Sequence, residues 1–498
     1  VSRLTPALGA VHGWANGQIQ PDIAGGWAAN PTEKPRNVQM VTDIMSAPRT
    51  FDIRRFPRLA DRFDVERNSF GLIRLVFALG VLLAHARPLG YALAPLGARI
   101  SANQSDLGTL AVQGFFVLSG FLVAGSALRH SLPRYLWHRT LRIFPAFWTC
   151  LLVTALIMAP LVALAEGRPL REFWTHHEGP ISYLATNWFT SMNQFTISGL
   201  LSQTPYGQAM GGPSAFDGSL WTLRYELACY LLVGVLAATA VLRQAPRALI
   251  ALLAGTYILI LRDFAAAPGW AVRPAGVDQI GPFPLIGSFA PTWLLYFSFL
   301  FLLGATARVY MHRIPMDGKM AAVAAAIMTA SLVVGGFAVV GLPCLAYLVI
   351  FAGVALPERF TRIGRKRDYS YGIYVYGFPV QQIVALFGGA QLGLTGYIAL
   401  SLAGTLALAA ASWHLIEEPA MTLRNATPSQ FPTPFRRLSR ILHTPASLLA
   451  APRHSPSDKA AEDPASTPIP MRTSDEEHKP QQRPQPKHAN ETRILEDV

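Results

Sequence analysis

The chain has 498 residues, of which 51% are hydrophobic and 14% charged, with a mean hydropathy of +0.30 and a formal net charge of +13. Charge this sparse, gathered between long apolar runs, excludes an ordinary soluble domain and indicates an integral membrane protein. The basic residues sit in short loops and form no basic face interleaved with aromatics, so they point to membrane topology and away from nucleic acid.

In chain order, residues 1–66 form a polar N-terminal segment with scattered Pro and Gly, expected to be cytoplasmic and disordered in part. The segment has no charged stretch leading into an apolar run, so no signal peptide is expected there, and Met40 and Met45 are expected as alternative starts. Ten runs long enough to span a bilayer follow in a transmembrane domain over 67–425: 70–89, 108–128, 144–165, 218–242, 246–262, 290–310, 319–336, 338–356, 369–388 and 393–415. Lys and Arg crowd the segment before the first span and the second, fourth, sixth and eighth connections, whereas the seventh and ninth carry none. The positive-inside rule then puts both termini in the cytoplasm. The predicted fold is all-α: a polytopic bundle of about ten transmembrane helices in the cytoplasmic membrane, expected to be a bacterial inner membrane. Two outward connections, 166–217 and 263–289, are long, and the first is expected to cap an outward-facing site. Residues 426–498 are rich in Pro, Ser and charge and are expected to form a disordered cytoplasmic tail. Cys150, Cys229 and Cys344 all lie in apolar runs and offer neither a disulfide framework nor a metal cluster.

Chemistry starts on the first span, "FGLIRLVFALGVLLAHARPLG", where Arg74 and His85 lie eleven residues apart. That spacing is almost three helical turns, so both share one face, roughly 16 Å apart along the axis. Charged side chains at bilayer depth are costly and mark functional sites by default, and an imidazole there can serve as a general base. The plainer alternative is a snorkelling Arg and a core His bonded to a neighbouring helix. "HRTLRIFPAFW" puts Arg139 and Arg142 on one face at the cytoplasmic mouth of the third span, suited to a phosphate, with Pro145 near the first turn. Glu226, about two turns into the fourth span, is expected at a height similar to His85. There it would orient the imidazole or take a proton itself, with Arg224 as the competing structural partner. Ser119 in "GFFVLSGFLVAG" reads as helix packing, and His176, His177 and Glu178 as a solvated loop without metal-ligand spacing. Glu417, Glu418 and Pro419 read as the terminus of the last span.

Together these segments resemble the acyltransferase-3 family of integral membrane O-acyltransferases, which modify polysaccharides, lipopolysaccharide, Nod factors and related glycosides. The resemblance covers about residues 66–425. It rests on the Arg74–His85 helix, "GFFVLSGFL", "RTLRIFPAFW", "SLWTLRYELACY" with Trp221 and Glu226, "DYSYGIYVYGFPVQQ" and "SWHLIEEP", in that order. The resemblance implies an acyl-CoA donor, usually acetyl-CoA, on the cytoplasmic side, and a glycan or glycoside hydroxyl reached from the other face, with no metal. It marks Arg74 and His85 as an essential pair and associates Arg139 and Arg142 with the coenzyme end; the reading of the residues themselves adds Glu226 to catalysis beside His85, Arg74 to coenzyme binding and Trp221 to substrate contact. Many relatives carry a His where this chain has Gly377, so that role does not transfer, and Tyr376, Gln381 and Gln382 are expected to line the same cavity instead. The competing reading is a transporter or exporter of a glycoside or acyl group. It lacks support from any pair of Gly/Pro-interrupted spans in corresponding halves.

Overall fold

The computed structural model of the chain describes residues 56–267, 278–283 and 286–425. The expectations placed on residues 1–55 and 426–498 lie outside them. Ten helices occupy the predicted spans: α1 Phe70–Tyr91, α2 Leu107–Arg129, α3 Leu132–Val153, α4 Leu223–Ala238 and α5 Pro246–Ala266, then α6 Pro291–Val309, α7 Gly318–Val334, α8 Leu342–Ala355, α9 Ser370–Leu386 and α10 Gly393–Ser412. With their short π and 3₁₀ extensions, eight are long and apolar enough to cross a membrane. The other two, α7 and α9, have 17 residues each, about 25 Å of helix. The bundle is therefore an all-α polytopic membrane protein.

The third span differs from its predicted range. Helix starts at Leu132 and runs through a π turn at Thr154–Met158 to Ala165, and Pro145 lies inside it. Pro133 in the first turn supplies the start that the sequence reading gave to Pro145. The charged stretch up to Arg142 thus extends the helix beyond its apolar part. At the chain's entry, Leu59 is fully buried and the backbone from Pro57 to Leu59 bonds to Ile314 and Met316. Residues 57–63 therefore pack on the bundle ten residues before the predicted domain start.

Helices α2 and α6 form its tightest contact. A Cβ on Gly120 would lie 2.0 Å from the Phe301 carbonyl oxygen, and one on Gly304 2.0 Å from that of Val117. Glycine on both sides lets the two backbones touch, the usual way for helices to associate where lipid removes any hydrophobic drive. Phe116 and Phe297 stack beside them at 4.2 Å. Helix α9 packs on α1 and α10, while α5 buries only Leu249 and Ile260 and faces outward. The segment 166–217 folds into short helices at Leu170–Thr175, Pro180–Asn187 and Pro205–Met210. Its buried Asp217 accepts hydrogen bonds from Tyr183 and Thr154, and burial pushes that carboxyl up to about 7. Strands β1 (Ile280–Phe283) and β2 (Gly287–Phe289) form an antiparallel hairpin ahead of α6.

Candidate active site

A cavity of about 650 Å³ opens at the basic end of the bundle, between α1, α2, α3, α4 and the loop preceding α9. Seven Lys and Arg side chains line it against three carboxylates. Asp368 anchors two of the cations: Arg142 Nη2 donates to its Oδ2 at 2.8 Å, and Arg74 Nε lies 3.0 Å from the same oxygen, an ion pair off the hydrogen-bond axis. Burial alone would raise this carboxyl, but the two guanidiniums and the hydrogen bonds from Ser370 outweigh it and hold Asp368 down to about 2. One carboxylate for two guanidiniums leaves positive charge facing the cavity. Arg139 lies over the Tyr230 ring at 5.6 Å and Arg142 over Tyr371 at 5.7 Å, which orients both guanidiniums. Rigid, aimed guanidiniums are the side chains best suited to phosphate.

Glu226 lies in this basic cavity and not beside His85, contrary to the expected pairing. Its Oε1 accepts from Ser119 Oγ at 3.1 Å and from the Tyr230 hydroxyl. Ser119, read from sequence as packing, thus faces the cavity with a polar partner. The fourth span enters through a 3₁₀ turn, Gly218–Thr222, before α4 begins. Such a turn rises about 2.0 Å per residue against about 1.5 Å in an α-helix, so Glu226 is carried deeper than a uniform helix would place it. Arg224 is not its partner either, since its guanidinium donates to the carbonyls of Ser288 (2.6 Å) and Met192 (3.2 Å).

A second cavity of about 400 Å³ lies at the opposite end and holds His85, Asp106 and Trp221. The His85 ring meets Phe378 edge-on at 5.1 Å, and Phe378 in turn sits where a Cβ on Gly218 would be, 2.4 Å away. The imidazole is thereby wedged in place. Asp106 caps α2, accepting from the Thr109 N–H at 2.9 Å and the Thr109 hydroxyl at 2.7 Å, and it is the acidic group in electrostatic reach of His85. In sequence Asp106 is indistinguishable from an ordinary helix cap, so its place at the site went unread. Trp221 forms an aromatic wall with Trp293 (5.3 Å) and Phe297 (5.9 Å). Met192 and Asn193, from the long segment 166–217, close the side of the cavity as expected of a cap. Arg74 and His85 share α1, yet each serves a different cavity.

The acyltransferase domain family matches residues 67–414. The chain belongs to that acyltransferase family. Nodulation protein 10 of Rhizobium leguminosarum bv. viciae is 29% identical over 381 residues, covering 72% of this chain and 95% of its own length. The O-acetyl transferase of Shigella phage Sf6 is 28% identical over 366 residues, covering 71% and 96%. No solved structure matches the chain. The protein is thus a multi-pass membrane acyltransferase.

In this acyltransferase three expected substrate contacts line neither cavity: Tyr376, Gln381 and Gln382. All three are buried. Gln381 Nε2 donates to the Leu82 carbonyl at 2.9 Å, and Gln382 Nε2 to the Ala215 carbonyl at 2.9 Å. Their carboxamides pin α9 to α1 and to the outer cap, because polar side chains among packed helices are held by backbone carbonyls. Gly377 also faces α1, with Leu82 3.7 Å from where its Cβ would be, so nothing at that position substitutes for a histidine.

Proposed function

We propose that this acyltransferase takes an acyl group, most simply acetyl, from acyl-CoA in the basic cavity and passes it to a hydroxyl of a cell-surface glycan or glycoside in the His85 cavity. The observation that supports this reading is the pair of cavities served by one helix, with cations at one end and an imidazole at the other. The phage relative, an O-acetyl transferase, agrees with acetyl on oxygen. The concentration of Lys and Arg at one end supports a cytoplasmic orientation of that end, where acyl-CoA is made, and is consistent with the cytoplasmic membrane.

In this reading Arg139 and Arg142 hold the coenzyme phosphates, with Arg74 set beside them by Asp368. The arm of the coenzyme runs along α1, over the roughly 16 Å that separates Arg74 from His85. His85 takes the proton of the acceptor hydroxyl as that oxygen attacks the thioester carbonyl. The C–O bond forms, the C–S bond breaks, and the thiolate leaves with a proton returned to it. Asp106 stabilises the imidazolium that His85 becomes, the part the sequence reading had given to Glu226. Glu226 instead positions Ser119 and Tyr230 along the donor's path.

The deciding experiment measures acetyl-CoA binding and turnover by the purified protein, with His85→Ala and Arg142→Ala alongside. Saturable binding weakened by Arg142→Ala, and turnover abolished by His85→Ala with binding kept, are the expected results. Wild-type protein that is folded and binds no acetyl-CoA would overturn the reading in favour of a transporter.

A further inference from the structure

The two cavities stand back to back, and Val112, Thr222 and Tyr374 line both of them. The partition is therefore one layer of side chains. Val112 comes from α2, Tyr374 from α9 and Thr222 from the 3₁₀ turn Gly218–Thr222. The turn is stapled to α9 by three hydrogen bonds. The Ser219 hydroxyl donates to the Tyr374 carbonyl at 3.1 Å, the Tyr374 hydroxyl donates to the Ser219 carbonyl at 2.6 Å, and the Thr222 hydroxyl bonds to that of Tyr374. The last of these joins the two sides of the partition. A bond between neutral hydroxyls is a modest fastening, and a 3₁₀ turn has poorer hydrogen-bond geometry than the helix it leads into.

We infer that Thr222 and Tyr374 form a door between the cavities, through which the acyl end of the donor reaches the His85 side. The inference rests on the two-sided reading above. Parting the two hydroxyls joins a basic chamber to an aromatic one without moving the Asp368 ion pairs, so the phosphates stay held while the thioester advances. Thr222, small and hydroxylated, closes the gap when nothing occupies it. Tyr374 also meets Phe115 of α2 at 6.1 Å, which keeps its ring across the opening.

Two measurements test the door. In a Cys344→Ser background, where Cys150 and Cys229 are buried, Thr222→Cys is treated with a charged, membrane-impermeant methanethiosulfonate from each face of sealed, oriented vesicles. Val112→Cys is treated in parallel. Labelling from both faces is expected, with acetyl-CoA on the basic face protecting the thiol. Labelling of both thiols from one face only, or from neither, overturns the shared wall. Labelling from both faces without protection leaves the door standing and removes acyl-CoA as the donor. The second measurement is Thr222→Phe, which plugs the opening: acetyl-CoA affinity should stay within about twofold while incorporation of labelled acetyl into cell-envelope glycan falls at least tenfold. Wild-type incorporation by Thr222→Phe overturns the door, whatever the labelling shows.

Discussion

The two cavities are made of opposite materials. The basic cavity is built from ionic side chains at helix ends, several of them within a few residues of one another in sequence, and Asp368 neutralises only part of their charge. The His85 cavity is built mainly from aromatic and neutral groups drawn from α1, α2, the Gly218–Thr222 turn, α4, α6 and the long cap, with Asp106 and Arg224 as its charged members. In the proposed reading, a charged donor is held by the first and reacts in the second. Binding and chemistry are thus assigned to different ends of the same helix, α1, and substitutions should separate them.

The largest separation is expected of His85→Ala. Removing a general base costs about 10²–10⁴-fold in rate, so transfer should collapse while acetyl-CoA affinity, measured by calorimetry, stays put. Equal losses of affinity and rate would erase the distinction between the cavities. Arg142→Ala should do the reverse, weakening acetyl-CoA binding about tenfold or more through loss of charge-assisted bonds worth roughly 1.5–3 kcal/mol. Arg142→Lys should restore little, because an ammonium lacks the planar fork. Asp106→Asn sharpens the outer half: acyl transfer should drop about tenfold, less than the general-base effect itself because Asp106 acts through His85, with donor affinity unaltered.

Asp368 offers a pH test of the inner half. Its carboxyl is held down to about 2, below its value of about 4 in an unfolded chain. Its contribution to stability is therefore complete above about pH 4 and lost as the pH falls through about 2, with a full size on the order of 2 kcal/mol. Asp368→Asn should lower the thermal midpoint at pH 6 and flatten the midpoint's dependence on pH between about 4 and 2; an unchanged slope would contradict the ion-pair assignment. The smallest effect is expected of Gln382→Ala. Loss of its bonds to the Ser214 hydroxyl and the Ala215 carbonyl should cost stability of about 1 kcal/mol, with acetyl-CoA affinity and transfer per folded molecule intact. A selective loss of transfer would return Gln382 to the substrate contacts.

Much of the architecture was legible in the chain itself. The ten helical segments, the basic end, Arg74 with His85, and the Arg139–Arg142 pair follow from apolar run length, charge placement and helical period, which are local properties, although only eight of the ten are long and apolar enough to span a membrane. Where local rules misjudged, the cause is equally physical. Pro145 read as a helix start because the apolar run begins there, but the helix had already begun at Pro133. Glu226 sits apart from His85 because depth along one span does not say which neighbouring helix a side chain meets, and its partners are Ser119 of α2 and Tyr230 of its own helix.

What the sequence determined alone is therefore that this is a membrane bundle with a cationic end and an imidazole within it, since both follow from the cost of placing charge in lipid. Which polar groups meet was decided only by tertiary structure. Asp368 lies 294 residues from Arg74 and 226 from Arg142, and Asp106 shares a cavity with Trp221 and His85 only because α1, α2 and the turn before α4 converge. Thr222 and Tyr374 likewise share a wall across 152 residues of chain. Such partnerships arise from helix packing, where glycines such as Gly120 and Gly304 set how close two backbones come, and no periodicity along one segment encodes the partner it will meet.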